Sequence, residues 1–296
     1  MTSAIPAGVD PARDEPVDEL IARYQLRRAG ARPGIVDYTR ELWGRRHFIV
    51  AFSTANNAVG YSASFLGQAW QLLTPLLNAA VYYLIFGVLL HTKRGVHNYV
   101  AFLVIGIFIF TFTQSSLLGG SRAISANVGL TRVLHFPRAV LPVSSTLVAL
   151  QRLVYSLVVM LPIVLITGER PRWQWLLLIP AIALQLMFCL GLAFFIARIG
   201  AKVPDTSQLL PFLIRTWLYV SGVFYSIQAF AADHPRWVKV ILEVNPGAVY
   251  VEVVRAALID EPRGHHLWLL AVAWAVVVLA AGYLFFWQAE EQYGRV

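Results

Sequence analysis

Two arginine side chains could bind an anion, because each lies inside a long apolar stretch of the sequence. Arg152 lies near the middle of the stretch 139–167, and Arg215 lies within the stretch 207–227. A charge at the centre of a membrane helix costs at least about 2.5 kcal/mol, so such residues usually face a partner or a wet cavity. The planar guanidinium group matches phosphate oxygens well. Each arginine is therefore predicted either to contact an anionic group, such as a lipid pyrophosphate, or to bond within the fold.

Aromatic residues make up 13% of the chain, and two dense groups of them could bind sugars. Aromatic faces pack against the C–H faces of sugar rings, while Tyr and Trp add a polar group. The candidates for such a passage are Phe108, Phe110, Phe112, Trp217, Tyr219 and Tyr225. The same side chains could equally pack in the core or face lipid, and both interpretations stay open.

Several kinds of reactive site are missing from the sequence. It contains no phosphate-binding loop of the form G-x-x-x-x-G-K-[ST], and no His or Cys residues have metal-ligand spacing. The single cysteine, Cys189, is expected to be a packed hydrophobe. The long apolar stretches contain no Asp or Glu, which argues against an ion-coupled carrier and weakens a membrane enzyme. We therefore expect no catalytic residue, and no metal or cofactor bound by this chain.

The composition predicts that the elements carrying these residues are membrane helices. Of the 296 residues, 58% are hydrophobic and 14% are charged, whereas a soluble domain has roughly 25% charged residues. The mean hydropathy is +0.62. The net charge of +8 fits lysines and arginines near lipid headgroups, and no basic, aromatic-studded face suggests nucleic-acid binding.

Six apolar stretches are candidates to cross a bilayer, which requires about 20 residues in a helix. They are 69–90, 99–119, 139–167, 174–197, 207–227 and 267–288. We therefore predict an all-α membrane protein whose transmembrane domain, residues 63–296, has six transmembrane helices.

Two segments precede this domain. Residues 1–33 are polar and are predicted to form a flexible cytoplasmic tail, and residues 34–62 are predicted to form an amphipathic interface helix with a basic face. If the N-terminus is cytoplasmic, 14 of the 24 lysines and arginines fall in cytoplasmic segments and 8 in outer ones. This bias predicts that both ends are cytoplasmic.

The segment 228–266 contains two apolar helical patterns that are too short to span a bilayer, Trp237–Val244 and Ala248–Ile259. Asn245, Pro246 and Gly247 between them form a turn signal. We predict a re-entrant helical hairpin on the outer side of the membrane, the alternative being a plain outer loop.

Several strings resemble one family in the correct order along the chain. They are Ser64–Trp70 with Pro75, Val128–Arg138 with Leu141 and Pro142, Val203–Asp205, Trp217–Tyr225, and Asn245–Pro246 with Val253–Ala256. Together they resemble the membrane (permease) subunit of type-2 ABC exporters of the polysaccharide, O-antigen and teichoic-acid class. The block Phe136-Pro137-Arg138 is the most specific of these strings.

The resemblance implies a homodimer in the bacterial plasma membrane, docked on a cytoplasmic ATP-binding subunit that holds ATP and Mg. A cytoplasmic coupling helix would meet that subunit, through Leu130, Arg132, His135, Phe136 and Arg138. The outer hairpin would gate the exit, through Trp237, Asn245, Pro246, Tyr250 and Arg255.

The implied cargo is a polysaccharide linked to a polyprenyl-pyrophosphate lipid, with the sugar chain in the aromatic passage and the pyrophosphate near Arg215 or Arg152. Two alternatives remain. One is a permease that exports drugs or antibiotics. The other is a membrane enzyme acting on polyprenyl-linked sugars, which would need acids such as Asp205, Glu169 and Glu261.

Overall fold

The computed structural model describes residues 34–62, 65–89, 96–133, 136–232, 234–259, 264 and 266–292. All regular elements in these ranges are helices, and the ranges contain no strand, which confirms the predicted all-α class. The predicted tail 1–33 lies outside the described residues.

The α-helices of these ranges are numbered in chain order. They are α1 (Ile35–Gly44), α2 (Arg46–Ser62), α3 (Trp70–Tyr82), α4 (Tyr99–Arg122), α5 (Val128–Val133), α6 (Val140–Ile166), α7 (Leu178–Lys202), α8 (Thr206–Val220), α9 (Ile227–Ala232), α10 (Arg236–Val244), α11 (Pro246–Leu258) and α12 (His266–Trp287). Single turns of 3₁₀-helix cover Gly67–Ala69, Ser125–Asn127, Trp173–Leu177 and Glu290–Gln292, and a π-helical segment, Tyr83–Leu89, continues α3.

Four helices in the described part of the chain are long and apolar enough to cross a membrane. They are Tyr99–Arg122, Val140–Ile166, Trp173–Lys202 and His266–Trp287, and they correspond to the second, third, fourth and sixth predicted spans. The first predicted span is divided between α3 and the π-helical segment. The fifth is shorter than predicted, because α8 ends at Val220 and Gly222 turns the chain with a φ of +63°. The count of six spans therefore stays a prediction.

Helix α4 lies at the centre of the fold. Nearly all of its first fourteen residues are buried, and they form one cluster with side chains from α6, α7, α8 and α11. A helix that is hydrophobic all round is the kind that other helices enclose on every side.

Helices α7 and α12 pack with their backbones in contact. A Cβ atom at Gly191 would collide with the backbone of Val278 and Leu279, and one at Gly282 would collide with the backbone of Gly191. Small residues at such crossings let apolar helices approach closely enough for good van der Waals packing.

The predicted interface helix 34–62 is broken at Arg45 into α1 and α2. Helix α2 packs beside the first half of α6, where Gln151 Nε2 donates to Thr54 Oγ1 at 3.1 Å. Helix α1 places Tyr38 in a small second core with Phe194 and Phe286. Whether either helix lies in the headgroup plane stays a prediction.

The two short helical patterns in 228–266 correspond to α10 and α11, which meet at Asn245. The side chain of Asn245 caps α11, and Pro246 occupies the first turn, where its missing N–H breaks no helical hydrogen bond. The position of this hairpin relative to the bilayer stays a prediction.

Candidate functional site

A cavity of about 160 Å³ opens between α3, α4 and α6, and we call it the groove. Its lining consists of Trp70, Gln71, Thr74, Pro75, Phe108, Thr111, Phe112, Ser115, Arg152, Leu153 and Ser156. The groove thus combines three aromatic rings with hydroxyl, amide and guanidinium groups. It brings together three of the predicted site residues, Phe108, Phe112 and Arg152, which come from two helices.

Arg152 is held at the groove by a polar chain that crosses three helices. Its Nε donates to Asn57 Oδ1 at 3.2 Å, and Asn57 Nδ2 donates to Gln71 Oε1 at 3.3 Å. Asn57 and Gln71 are both buried. Hydrogen bonds of this kind satisfy polar groups that the apolar surroundings would otherwise leave unpaired. The guanidinium group is therefore positioned by α2 and α3, and sequence patterns gave no sign of this link.

Arg215, the second predicted anion contact, lies elsewhere. It is exposed on α8 beside the exposed apolar side chains Phe212 and Leu213, and it does not line the groove. The structure therefore does not bring the two arginines into one site.

A second cluster joins predicted passage residues to the hairpin. The rings of Phe110 and Trp217 meet edge to face, with centroids 5.5 Å apart. Trp217 Nε1 donates to Asn245 Oδ1 at 2.7 Å, and Asn245 Nδ2 donates to Ser221 Oγ at 3.3 Å. Sequence reasoning missed Ser221, whose buried hydroxyl helps to fix the turn after α8. The cluster ties α4 and α8 to the start of α11.

The two predicted tyrosines pack at the end of α8. Tyr219 is exposed, with its ring 5.3 Å from that of Phe224, and Tyr225 lies 5.2 Å from Phe230. Phe224 is buried, and Tyr82 of α3 also packs on it. Neither tyrosine lines the groove.

Among the predicted gate residues, Arg255 and Tyr250 are buried. Arg255 Nε and Nη2 donate to the carbonyl of Phe102, Nη1 donates to Gly222, and Nη2 also donates to Val223, all at 2.8–3.1 Å. Its Nη1 lies 2.8 Å from Glu252 Oε1. Arg255 therefore fastens α11 to α4 and to the turn after α8.

The other predicted gate residues are distributed along the hairpin. Tyr250 donates its hydroxyl to the carbonyl of Ala271 at 2.9 Å, linking α11 to α12. Trp237 is exposed on α10, while Asn245 and Pro246 form the junction of the two helices.

The predicted coupling segment begins in α5, where Leu130 is partly exposed. Arg132 belongs to the same helix, and His135 lies outside the described residues. The ring of Phe136 packs on Phe48 of α2, with centroids 5.9 Å apart. The segment is thus tied to the interface helices on one side.

Arg138 ends this segment at a buried carboxylate that sequence reasoning missed. Glu290 Oε1 accepts from the Arg138 backbone N–H at 2.9 Å and lies 3.5 Å from Arg138 Nη1. Glu290 Oε2 accepts from the Tyr38 hydroxyl at 2.7 Å.

Burial raises the pKa values of both titratable groups in this cluster, Glu290 and Tyr38. It raises the pKa of the Glu290 carboxyl above its ordinary value, although hydrogen bonds and the charge of Arg138 oppose the shift. Burial, together with the neighbouring Glu290 charge, also raises the pKa of the Tyr38 hydroxyl. Burial outweighs the hydrogen-bond donors, so the Glu290 carboxyl holds its proton more tightly than a solvated carboxyl does and its pKa stays raised.

Comparison with known proteins places these features in a family. The chain is 27% identical over 259 residues to an O-antigen export system permease protein, RfbA, of Myxococcus xanthus, covering 87% of this chain and 98% of that protein. It is 26% identical over 179 residues to an O-antigen export system permease protein RfbA of Klebsiella pneumoniae, covering 60% of this chain and 68% of the relative. A family model described as ABC-2 type transporter matches residues 49–259, so the chain belongs to the ABC-2 type transporter family.

Proposed function

We propose that this chain is the membrane subunit of an ATP-driven exporter that moves a polysaccharide linked to polyprenyl pyrophosphate across the bacterial plasma membrane. Membership of the ABC-2 family and similarity to O-antigen export permeases support the transport of a polysaccharide. ATP and Mg would be bound by a separate cytoplasmic subunit. Two copies of this chain would form the passage, each with six spans and both ends in the cytoplasm.

The observation that carries the choice of cargo is the lining of the groove. Trp70, Phe108 and Phe112 offer apolar ring faces and edges, and Thr74, Thr111 and Ser115 offer hydroxyl groups. A sugar ring presents C–H faces and hydroxyl groups, so this mixture suits it better than a purely apolar lining would. Arg152 adds a cation, which suits the pyrophosphate that joins the sugar to its lipid.

The hairpin and the coupling segment have separate roles in this proposal. The exposed face of α10, including Trp237, would close the exit on the outer side. The segment Val128–Arg138 would contact the ATPase, so that closure of the ATPase pair moves α6 and changes the width of the passage.

A substitution that fills the groove tests this function. Ser115→Leu replaces a hydroxyl with a larger isopropyl group at a half-buried lining position, while Ala273→Leu adds an isopropyl group at an exposed position of α12. In vesicles that contain the complete exporter and lipid-linked polysaccharide, S115L should abolish delivery of glycan to the far side, and A273L should not.

Assembly with the ATPase subunit and the basal ATPase rate are measured for both variants, so that misfolding is recognised. Normal glycan export by S115L would contradict the groove as the sugar path. Export of amphiphilic drugs without glycan export would favour the drug-exporter alternative. Chemical conversion of lipid-linked sugar by this chain alone would favour the enzyme.

A further inference from the structure

The first residues of α6 have no side-chain cap from their own segment. Ala139 stands at the N-cap position without a side-chain hydrogen bond, and Ala139 and Val140 are completely buried. The first N–H groups of a helix have no partner within it. Here the carbonyls of the preceding turn, Pro137 and Arg138, accept from the N–H groups of Val140 and Leu141 at 3.0 and 3.1 Å. The N–H groups of Arg138 and Ala139, which lie just before the helix, are left to acceptors from other parts of the chain.

Two distant residues supply those acceptors. Glu290 Oε1 accepts from the N–H of Arg138 at 2.9 Å, and the Tyr38 hydroxyl oxygen accepts from the N–H of Ala139 at 3.1 Å. The Tyr38 hydroxyl in turn donates to Glu290 Oε2 at 2.7 Å. The start of α6 is thus capped jointly by α1 and by the turn that follows α12.

The charges of this cap are complementary. The N-terminus of a helix carries a partial positive charge, which a carboxylate stabilises, and the Arg138 side chain adds a full positive charge 3.5 Å from Glu290. Glu290 is only 5% exposed, so a broken contact could not easily be replaced by water. The three elements are therefore expected to move together.

The position of the cap connects it to the proposed transport cycle. It follows directly after the segment Val128–Arg138, and α6 carries Arg152, Leu153 and Ser156 of the groove. The helix from Val140 to Arg152 is about 18 Å long, and a continuous helix over that length acts as a stiff rod. A displacement of the segment can therefore reach the groove through this end of α6.

We propose that Glu290, together with Tyr38, is a positioning site that couples ATP hydrolysis to export by holding the start of α6 to α1 and to the end of α12. The inference rests on the proposed function, in which the segment Val128–Arg138 contacts an ATPase. Without this cap, the segment Val128–Arg138 would move without an equal movement of α6 and the groove.

The test uses the complete exporter with Glu290→Gln and Tyr38→Phe. The glutamine removes the charge and one of the two acceptor oxygens, and the phenylalanine removes the acceptor for Ala139. Loss of a hydrogen bond to a charged group should favour the detached state of the start of α6 by at least about tenfold, so glycan exported per ATP hydrolysed should fall in each variant. Basal ATPase activity and assembly should be retained.

Matched controls are available at neighbouring positions. Glu291→Gln changes the adjacent exposed carboxylate, and Tyr283→Phe removes a hydroxyl that lies 2.7 Å from Thr39 Oγ1 outside the cap. Both controls should keep the wild-type ratio of export to hydrolysis. An unchanged ratio in E290Q and Y38F, or a parallel fall of export and hydrolysis, overturns the proposal. If E290Q fails to assemble, the ratio in Y38F decides.

A second measurement needs no cargo. Thr74 is an exposed residue of the groove, and Cys189, the only cysteine of the chain, is completely buried. In the Thr74→Cys variant, ATP should change the rate at which the new thiol is alkylated, because movement of α6 changes the access to the groove. Adding E290Q to this variant should abolish the effect of ATP. An unaltered ATP response in the double variant T74C/E290Q, or no ATP response in T74C alone, overturns the proposal that Glu290 couples the segment to the groove. Absent glycan export together with an intact ATP response would reject only the proposed cargo.

Discussion

Arg255→Met should destabilise the fold more than any surface substitution, because it removes a fully buried cation while keeping an apolar side chain of similar length. The guanidinium group satisfies the carbonyls of Phe102, Gly222 and Val223 and the carboxylate of Glu252. It also lies over the ring of Phe102, with its central carbon 3.2 Å from the ring centroid. Methionine can replace none of these polar contacts.

The expected loss follows from what remains unpaired. Removing one partner of a buried ion pair costs about 3–5 kcal/mol, and each carbonyl left without a donor adds about 1 kcal/mol. These contributions are not additive, and the Glu252 side chain is 15% exposed, so water can reach part of its charge. We therefore expect a loss of about 4 kcal/mol. Arg255→Lys keeps a charge near Glu252 and should lose less.

Reversible unfolding in mixed micelles, followed by tryptophan fluorescence, measures this difference. Arg236→Met, at an exposed position of α10, is the matched control and should change the free energy of unfolding by less than about 0.5 kcal/mol. A loss below about 1 kcal/mol in R255M would refute the packing argument. Lost export at wild-type stability would instead support a direct role in the outer gate.

Trp217→Phe keeps an aromatic ring against Phe110 but removes the donor to Asn245, so we expect a loss of about 1 kcal/mol in the same unfolding assay. If Trp217→Phe costs the same in an Asn245→Ala background as it does in the wild type, the hydrogen bond contributes nothing of its own. Glu290 gives a pH dependence whose sign follows from its raised pKa: the folded state holds the proton more tightly than the unfolded state, so stability should fall as pH rises from about 4.5 through the raised value. Hydrogen bonds from Tyr38 and Arg138 oppose this rise of the pKa. E290Q should flatten the dependence of stability on pH in this range, and an unchanged dependence would contradict its assignment to Glu290.

The sequence was sufficient for the elements whose signal is local. Long apolar runs located α4, α6, α7 and α12, and the turn residues around Asn245 located the junction of α10 and α11. The length of α8 was overestimated because an apolar run does not show where a backbone turns. The run continues through Val223 and Phe224, but Gly222 adopts a left-handed conformation and ends the helix.

The candidate site was predictable only in its residue types. Phe108, Phe112 and Arg152 were singled out because aromatic and cationic side chains in apolar runs are conspicuous, and the groove contains all three. Phe110 belongs to the same run but faces Trp217 instead, because successive residues of a helix point in different directions. Which ring reaches the groove depends on how α4 is rotated against α3 and α6, and this is set by packing across the whole core.

Arg255 and Glu290 have buried contacts that no local sequence pattern predicted. Arg255 lies in a hairpin predicted to be a gate, yet its partners are carbonyls from α4 and from the turn after α8. Glu290 lies just beyond an apolar run in a short polar tail, where a carboxylate is usually solvated. Its partners are 152 and 252 residues away along the chain, so only the assembled fold creates the site. Because each contact joins elements that no local pattern relates, a joint of this kind can be found only from the three-dimensional arrangement, and its effect on coupling has to be measured in the assembled exporter.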